Sequence, residues 1–163
     1  CTASQTEHAF FFVHHCGQIS CSHTSGNKDV HIVLRGGTIT GPNYSSIDIL
    51  NTGKLLNKNN VKSKIMIDCS HENSMKDCKI QMTVIDNVAQ QIASGDHSIM
   101  GIMIESNLVE GKQTLFEGKK HLLEYGKSIT DSCIGWNMTV SILKLLSDSV
   151  VSRRNNCRTL ESI

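Results

Sequence analysis

The sequence has 163 residues, the length of one ordinary domain, and its 39% hydrophobic and 19% charged residues are typical of a globular protein. A formal net charge of +1 gives no electrostatic reason to expect nucleic acid or an acidic membrane as a partner, and no apolar run is long enough to cross a bilayer. The seven cysteines include no C-x-x-C pair, which indicates reduced thiols in a cytoplasmic protein.

The first third of the chain predicts two strands and a turn. Short apolar runs at Ala9–Val13 and Val30–Leu34 predict buried strands. Between them, the polar segment "HTSGNKD" at 23–29 predicts a turn.

A loop and a helix are expected next. The segment "TITGPNYSS" at 38–46 predicts a loop, at the end of which Ser45 or Ser46 is suited to cap a helix. That helix would carry three apolar side chains on roughly one face: Ile47, Leu50 and Leu55.

The middle of the chain predicts a strand followed by a long amphipathic helix. Lys64–Asp68 predicts the strand, and the helix is expected over about Lys76–Ser94, with Gly95 just beyond its end. Five apolar residues recur on one face of this helix: Val84, Ile85, Val88, Ala89 and Ile92.

The last third adds a strand at Ile99–Glu105, a shorter strand at Lys127–Thr130 and a helix over about Thr139–Arg153. The buried face of that last helix is expected to contain Ile142, Leu143, Leu146 and Val150. Strands that alternate with helices predict an α/β fold with parallel strands, either doubly wound or closed into a barrel.

One polar residue follows each predicted parallel strand: Arg35, His71, Glu105 and Asp131. The spacing between them matches the roughly 30 residues of one βαβ unit, and the carboxyl ends of parallel strands form the usual site of chemistry. An imidazole with two carboxylates is a plausible set of ligands for a divalent metal. A guanidinium followed by two glycines suits a bound phosphate or carboxylate.

The stretch "IMIDCSHENS" at 65–74 holds four side chains that bind metals or move protons. Neighbouring residues of a strand point to opposite faces, so these four cannot converge on one ion. We expect His71 to be the ligand, Asp68 and Glu72 to support it or lie on the surface, and Cys69 to fill the interior.

Four blocks of the sequence carry a family resemblance: "HIVLRGG", "MIDCSHENSMKD", "GIMIESNLVEGKQ" and "YGKSITDSCIGW". In this order they resemble the C-terminal half of type I 3-deoxy-D-arabino-heptulosonate 7-phosphate (DAHP) synthase. The resemblance covers about Ala3 to Arg154. It implies an incomplete TIM-type (β/α)₈ barrel, with roughly the C-terminal five of its eight strands. It also implies condensation of phosphoenolpyruvate with erythrose 4-phosphate in the shikimate pathway.

The resemblance also implies roles for particular residues. His71, Glu105 and Asp131 match the family's ligands to a divalent metal, which would be Mn, Fe, Co or Zn, and His71 is the catalytic candidate. Arg35 matches the residue that binds phosphoenolpyruvate, and His15 stands where the family has a phosphoenolpyruvate-binding Lys. The family's fourth ligand is a Cys in the N-terminal half, which this sequence is expected to lack.

Three regions follow from the same resemblance. Residues 1–29 would be a degenerate strand and turn region, 30–154 would be well-matched βα units, and 155–163 would be a tail. The family implies small-molecule substrates, a homo-oligomer, and neither nucleic acid nor a membrane as partner.

Two other functions stay open. The chain is also compatible with an inactive remnant that is inert or pairs with another chain, since incomplete barrels leave open strand edges. A small zinc-binding module is the other alternative, although its spacing matches no common structural-zinc pattern. Its ligands would come from His14, His15, Cys16, Cys21 and His23.

Overall fold

The structure is a computed structural model that describes residues 1–61 and 64–160. The strands are β1 His8–Val13, β2 Ile19–Thr24, β3 Ile32–Leu34, β4 Ile65–Asp68 and β5 Ile99–Met103. The α-helices are α1 Thr2–Gln5, α2 Ser46–Lys58, α3 Gln81–Ala93 and α4 Trp136–Leu160, and short 3-10 helices lie at His71–Ser74, Cys78–Ile80 and Lys120–Leu122. The expected α/β class is confirmed.

Strands β3, β4 and β5 form a parallel sheet in that order. Ile65 of β4 lies opposite Ile32 of β3 on one side and Ile99 of β5 on the other. Because the three strands run in the same direction, their carboxyl ends meet at one edge. The chain segments that follow them therefore lie close together.

The core lies between one face of this sheet and the helices. Ile65 and Ile67 of β4 are buried, and all five apolar residues expected on the inner face of α3 are buried as predicted. The opposite face of the sheet is open, since Val33, Met100 and Met103 are 39%, 51% and 42% exposed. Within the described residues, β5 is therefore covered on one face only.

Helix α2 begins where the sequence predicts but buries a different face. Ser45 is its N-cap, and the Ser45 and Asp48 side chains each accept a hydrogen bond from the other residue's backbone N–H. The buried residues are Ile49 and Leu56, two helical turns apart. The three residues expected on one face are exposed: Ile47, Leu50 and Leu55.

The first predicted strand exists but is not buried. All six residues of β1 are exposed, and β1 pairs antiparallel with β2 in a separate two-stranded hairpin. The turn of this hairpin lies at His14–Gln18, where the His14 N–H donates to the Gln18 carbonyl oxygen. The turn expected at 23–29 is partly wrong, because His23 and Thr24 belong to β2.

The strand expected at Lys127–Thr130 is absent from the described residues. A single bridge joins Lys112 to Ser128, so this segment contacts a neighbouring part of the chain without forming a ladder. Its polar side chains make local turns instead, as when the Thr130 N–H donates to Ser128 Oγ.

Helix α3 starts later, and α4 extends further, than the sequence predicts. Two short 3-10 helices precede α3, which begins at Gln81. On α4, Ile142 is fully buried as expected, whereas Leu143 is 55% exposed. Residues 155–160 of the expected tail continue α4, and 161–163 lie outside the described residues.

Within the described part of the chain, no helix has the length and apolar character needed to span a membrane.

Candidate metal centre

Three candidate ligands meet at the carboxyl edge of the parallel sheet. His71 lies in the 3-10 helix after β4, Glu105 follows β5, and Asp131 lies in the loop before α4. One ligand atom from each lies within 4.8 Å of the other two. Among the described side chains, no other three His, Cys, Asp or Glu residues come together in this way. The sequence thus brings together the three side chains singled out at strand ends.

Asp68 fixes the orientation of the His71 ring. Asp68 is only 2% exposed, and its Oδ2 lies 2.7 Å from His71 Nδ1. Its other oxygen accepts hydrogen bonds from the N–H and hydroxyl of Ser70, at 3.0 and 2.5 Å. Since an ionised carboxylate only accepts, we assign the ring proton to Nδ1, which leaves the Nε2 lone pair free to bind a metal.

Glu105 lies opposite that nitrogen, with its Oε1 3.6 Å from His71 Nε2. Burial raises the pKa of the Glu105 carboxyl, His71 opposes that rise, Asp131 and Asp68 add to it, and Arg35 lowers it again. Burial is the largest cause of this rise, and part of it comes from the carboxylates that lie close to Glu105. A bound cation would relieve their repulsion.

The donor set fits a divalent metal. One imidazole nitrogen and two carboxylates suit Zn, Mn, Fe or Co. With bonds of about 2.1 Å, two ligands of a tetrahedral ion stand about 3.4 Å apart. The 3.6 Å between His71 Nε2 and Glu105 Oε1 is close to that spacing.

Arg35 follows β3 at the same edge, with its side chain exposed to solvent. It is near enough to Glu105 for its charge to lower the pKa of that carboxyl. The next residue, Gly36, has a φ of +74°, and a Cβ there would lie 2.9 Å from the Asn73 backbone nitrogen. Glycine therefore lets the Arg35 loop pack directly on the segment that carries His71.

The neighbours of His71 in sequence have separate roles. Cys69 is fully buried, and burial followed by the charge of Asp68 raises the pKa of its thiol to about 12. It fills the interior as predicted. Glu72 lies toward the surface, where its Oε1 is 3.1 Å from Lys76 Nζ.

Sequence reasoning missed two buried amides, Asn73 and Gln81, which are 1% and 0% exposed. Both hydrogen-bond to backbone groups at the strand ends. It also missed Cys133. Burial is the largest cause of the raised pKa of the Cys133 thiol, a hydrogen bond with Ser128 lowers it, and the charges of Glu105, Cys78 and Asp131 add to the rise. Periodicity marks apolar faces, so no pattern in the sequence signals a polar side chain that is buried by its bonds to the backbone.

His15 is not part of this centre. It lies exposed in the turn of the β1–β2 hairpin, where its ring centroid is 3.9 Å from that of His14. The residues of the zinc-module alternative form two separate contacts, His14 Nδ1 to Cys16 Sγ at 3.2 Å and Cys21 Sγ to His23 Nε2 at 3.7 Å. All five of them lie in the described residues, and no three converge at the spacing of the His71 centre.

The model of the DAHP synthetase I family matches residues 1–144. The Phe-sensitive phospho-2-dehydro-3-deoxyheptonate aldolase of Escherichia coli K12 is 47% identical over 152 residues, which are 93% of this chain and 42% of that protein. The phenylalanine-inhibited enzyme of the same name from Saccharomyces cerevisiae is 43% identical over 157 residues, with the same coverage of 93% and 42%.

A solved structure is also similar. The phospho-2-dehydro-3-deoxyheptonate aldolase of Francisella tularensis SCHU S4 superposes with a TM-score of 0.85 at 38% identity, covering 93% of this chain and 43% of that one. The chain thus spans about two fifths of the length of the proteins to which it is similar.

Proposed function

Because the chain belongs to the DAHP synthetase I family, we propose that it supplies the metal-binding part of a 3-deoxy-7-phosphoheptulonate synthase active site. The proposed reaction is the aldol-like condensation of phosphoenolpyruvate with erythrose 4-phosphate, which opens the shikimate pathway to aromatic amino acids. The chain covers only part of its relatives, so substrates and turnover belong to this proposal.

One observation carries the proposal. His71, Glu105 and Asp131 come from three different segments of the chain, yet their ligand atoms converge within 4.8 Å at the carboxyl edge of a parallel sheet. Arg35 lies at the same edge, and its charge lowers the pKa of the Glu105 carboxyl. A cationic side chain beside a metal centre suits a substrate that is an anion with a reactive oxygen.

The residues divide the work as follows. Arg35 would bind the phosphate or carboxylate of phosphoenolpyruvate, for which a guanidinium provides paired donors. Asp68 holds the proton of His71 at Nδ1, and so keeps Nε2 available as a ligand. A divalent cation bound by His71, Glu105 and Asp131 would supply a Lewis acid for the aldehyde oxygen of erythrose 4-phosphate.

The condensation then proceeds between the two substrates. Carbon 3 of phosphoenolpyruvate attacks the aldehyde carbon, water adds at carbon 2, and inorganic phosphate leaves. His15 would contribute little to binding phosphoenolpyruvate, because it lies exposed in the turn of the β1–β2 hairpin and its imidazole is shorter than a Lys side chain.

We further propose that the parallel sheet is part of a TIM-type barrel whose remaining strands would cover its open face. Support comes from the exposed Met100 and Met103 on that face and from the TM-score of 0.85 with a longer relative, of which this chain covers 43%. Residues 30–154 would be the βα units of this barrel and 1–29 a diverged region before them. A cytoplasmic homo-oligomer, as implied by the family, is part of the same proposal.

The test is turnover in a chimera that joins residues 1–163 to the part of the Escherichia coli relative that this chain does not match. With Mn²⁺ and both substrates, we expect loss of phosphoenolpyruvate absorbance, and His71→Ala should abolish it. No turnover by a folded, monodisperse chimera, with the Escherichia coli enzyme active alongside, would contradict the proposal.

The inactive remnant is the second candidate, and the open sheet face favours it. The chain alone should then bind Mn²⁺ without consuming phosphoenolpyruvate. Size-exclusion chromatography with light scattering distinguishes an inert monomer from a chain that pairs with a second copy. Turnover by the chain alone would exclude the remnant.

A further inference from the structure

The carboxyl ends of the three parallel strands are held by two buried side-chain amides, Asn73 and Gln81. Asn73 Nδ2 donates to the carbonyl oxygens of Leu34 at 3.0 Å and Asp68 at 2.7 Å, which are the last residues of β3 and β4. One amide therefore fixes the separation of two strand ends. The side chain is 1% exposed, so water does not compete for these bonds.

The oxygen of the same amide extends the contact to the Arg35 loop. Asn73 Oδ1 accepts from the Asn43 N–H at 2.8 Å, and Asn43 Oδ1 accepts from the Gly36 N–H at 2.7 Å. The backbone beside Arg35 is thus tied through two amides to the segment that carries His71. A shift of either segment would break a part-buried hydrogen bond.

Gln81 performs the corresponding task for Glu105. It is the first residue of α3 and is 0% exposed. Its Nε2 donates to the Glu105 carbonyl oxygen at 3.2 Å, and its Oε1 accepts from the Glu105 N–H at 2.9 Å. The Glu105 carbonyl oxygen also accepts from the Ile134 N–H at 2.9 Å, which ties it to the segment after Asp131.

We propose that Asn73 and Gln81 are positioning residues that set the geometry of the metal centre and of the Arg35 loop. Neither touches a ligand atom of the centre. They act on the backbones that carry Arg35, His71 and Glu105. This inference deepens the proposed function and rests on it, because the property that the two amides control is the spacing of the proposed ligands.

The chain offers a matched control in Gln91. It is also a glutamine on α3, and its Nε2 donates to the carbonyl oxygen of Tyr44 at 2.9 Å. Gln91→Met therefore removes a comparable amide-to-backbone bond from the same helix without touching a strand end at the centre. Gln81→Met and Asn73→Leu are near-isosteric changes that remove the positioning bonds.

The experiment measures Mn²⁺ affinity by titration calorimetry for the full chain and these three variants, at a temperature where circular dichroism shows each one folded. We expect Gln81→Met and Asn73→Leu to weaken Mn²⁺ binding about 10-fold or more, as is usual when the support of a metal ligand is lost. Gln91→Met should stay within about twofold of the unmodified chain. Equal weakening in all three variants, or none in the first two, would overturn the inference.

A second measurement needs neither a variant nor a metal. Hydrogen exchange followed by NMR should show the Glu105 amide protected to the level of the β5 amides, because it donates to a buried Gln81 oxygen. Exchange at the rate of a free peptide would overturn the inference. An unmodified chain that binds no Mn²⁺ would contradict the proposed function, while this protection would still decide whether Gln81 holds Glu105.

Discussion

At the scale of single residues, metal binding at this centre depends on the orientation of the His71 ring. His71 adopts a left-handed backbone conformation with a φ of +50°, which is uncommon for a residue with a side chain. Asp68 then holds its ring from a position three residues earlier. The sequence predicts His71, Glu105 and Asp131 because each follows a predicted parallel strand. The hydrogen bond that selects the ring tautomer depends on a turn that no periodicity reveals.

Asp68 should therefore control metal affinity without being a ligand. Asp68→Asn keeps the size of the side chain but replaces a carboxylate acceptor with a neutral amide. We expect Mn²⁺ binding to weaken about 10- to 100-fold. Titration calorimetry checks this, with Asp86→Asn on the exposed side of α3 as the control for the change in charge. Equal affinities for the two variants would contradict the role of Asp68.

Cys69 should be chemically inert in the folded chain. It is fully buried, and the pKa of its thiol is raised to about 12, so the reactive thiolate is scarce at pH 8. Cys16 and Cys21 are exposed in the hairpin. Mass spectrometry after brief treatment with iodoacetamide should find these two alkylated and Cys69 unmodified. Alkylation of Cys69 at the rate of Cys16 would show that the interior around β4 is open.

At the scale of elements, sequence patterns predict the long helices well and their exact faces less well. On α3, five apolar positions recur at helical spacing, and all five are buried. Helix α2 has apolar residues on more than one face, and only one face packs against the core. Ile49 and Leu56 are therefore buried, while Ile47 and Leu50 are exposed. The segment 127–130 has a strand-like composition, but within the described residues it forms only an isolated bridge, between Ser128 and Lys112.

Neighbouring residues on α4 provide a test of the observed face. Ile142→Ala removes a fully buried side chain and should lower the free energy of unfolding by about 2–5 kcal/mol. Leu143→Ala changes a side chain that is 55% exposed and should cost about 1 kcal/mol or less. Urea unfolding followed by circular dichroism measures both. Similar losses for the two variants would mean that α4 packs through a different face.

The N-cap of α2 is a second test at this scale. Ser45 and Asp48 each accept a hydrogen bond from the other's backbone, so Ser45→Ala should cost about 1 kcal/mol of stability. Ser46→Ala, one residue later, is the control and should cost less, since it removes no cap. A larger loss of stability for Ser46→Ala than for Ser45→Ala in urea unfolding would show that the helix begins one residue later.

At the scale of the whole molecule, the α/β class follows from the alternation of strands and helices, but the extent of the sheet does not. Three strands pair in parallel, and two form a separate hairpin whose strand β1 is exposed along its whole length. One face of the parallel sheet is open, with Val33, Met100 and Met103 exposed. The site lies at an edge of this sheet, which is why His71 and Glu105 could be predicted from the ends of strands. The strand expected before Asp131 is absent from the described residues, although Asp131 still reaches the site.

The most direct measurement is anomalous X-ray scattering from a crystal of the chain soaked in Mn²⁺. We predict a strong peak within bonding distance of His71 Nε2 and of the Glu105 and Asp131 carboxylates, and no peak there in His71→Ala. A Mn²⁺ ion bound elsewhere, or no ion between these three residues, would contradict the central claim that they form a metal centre.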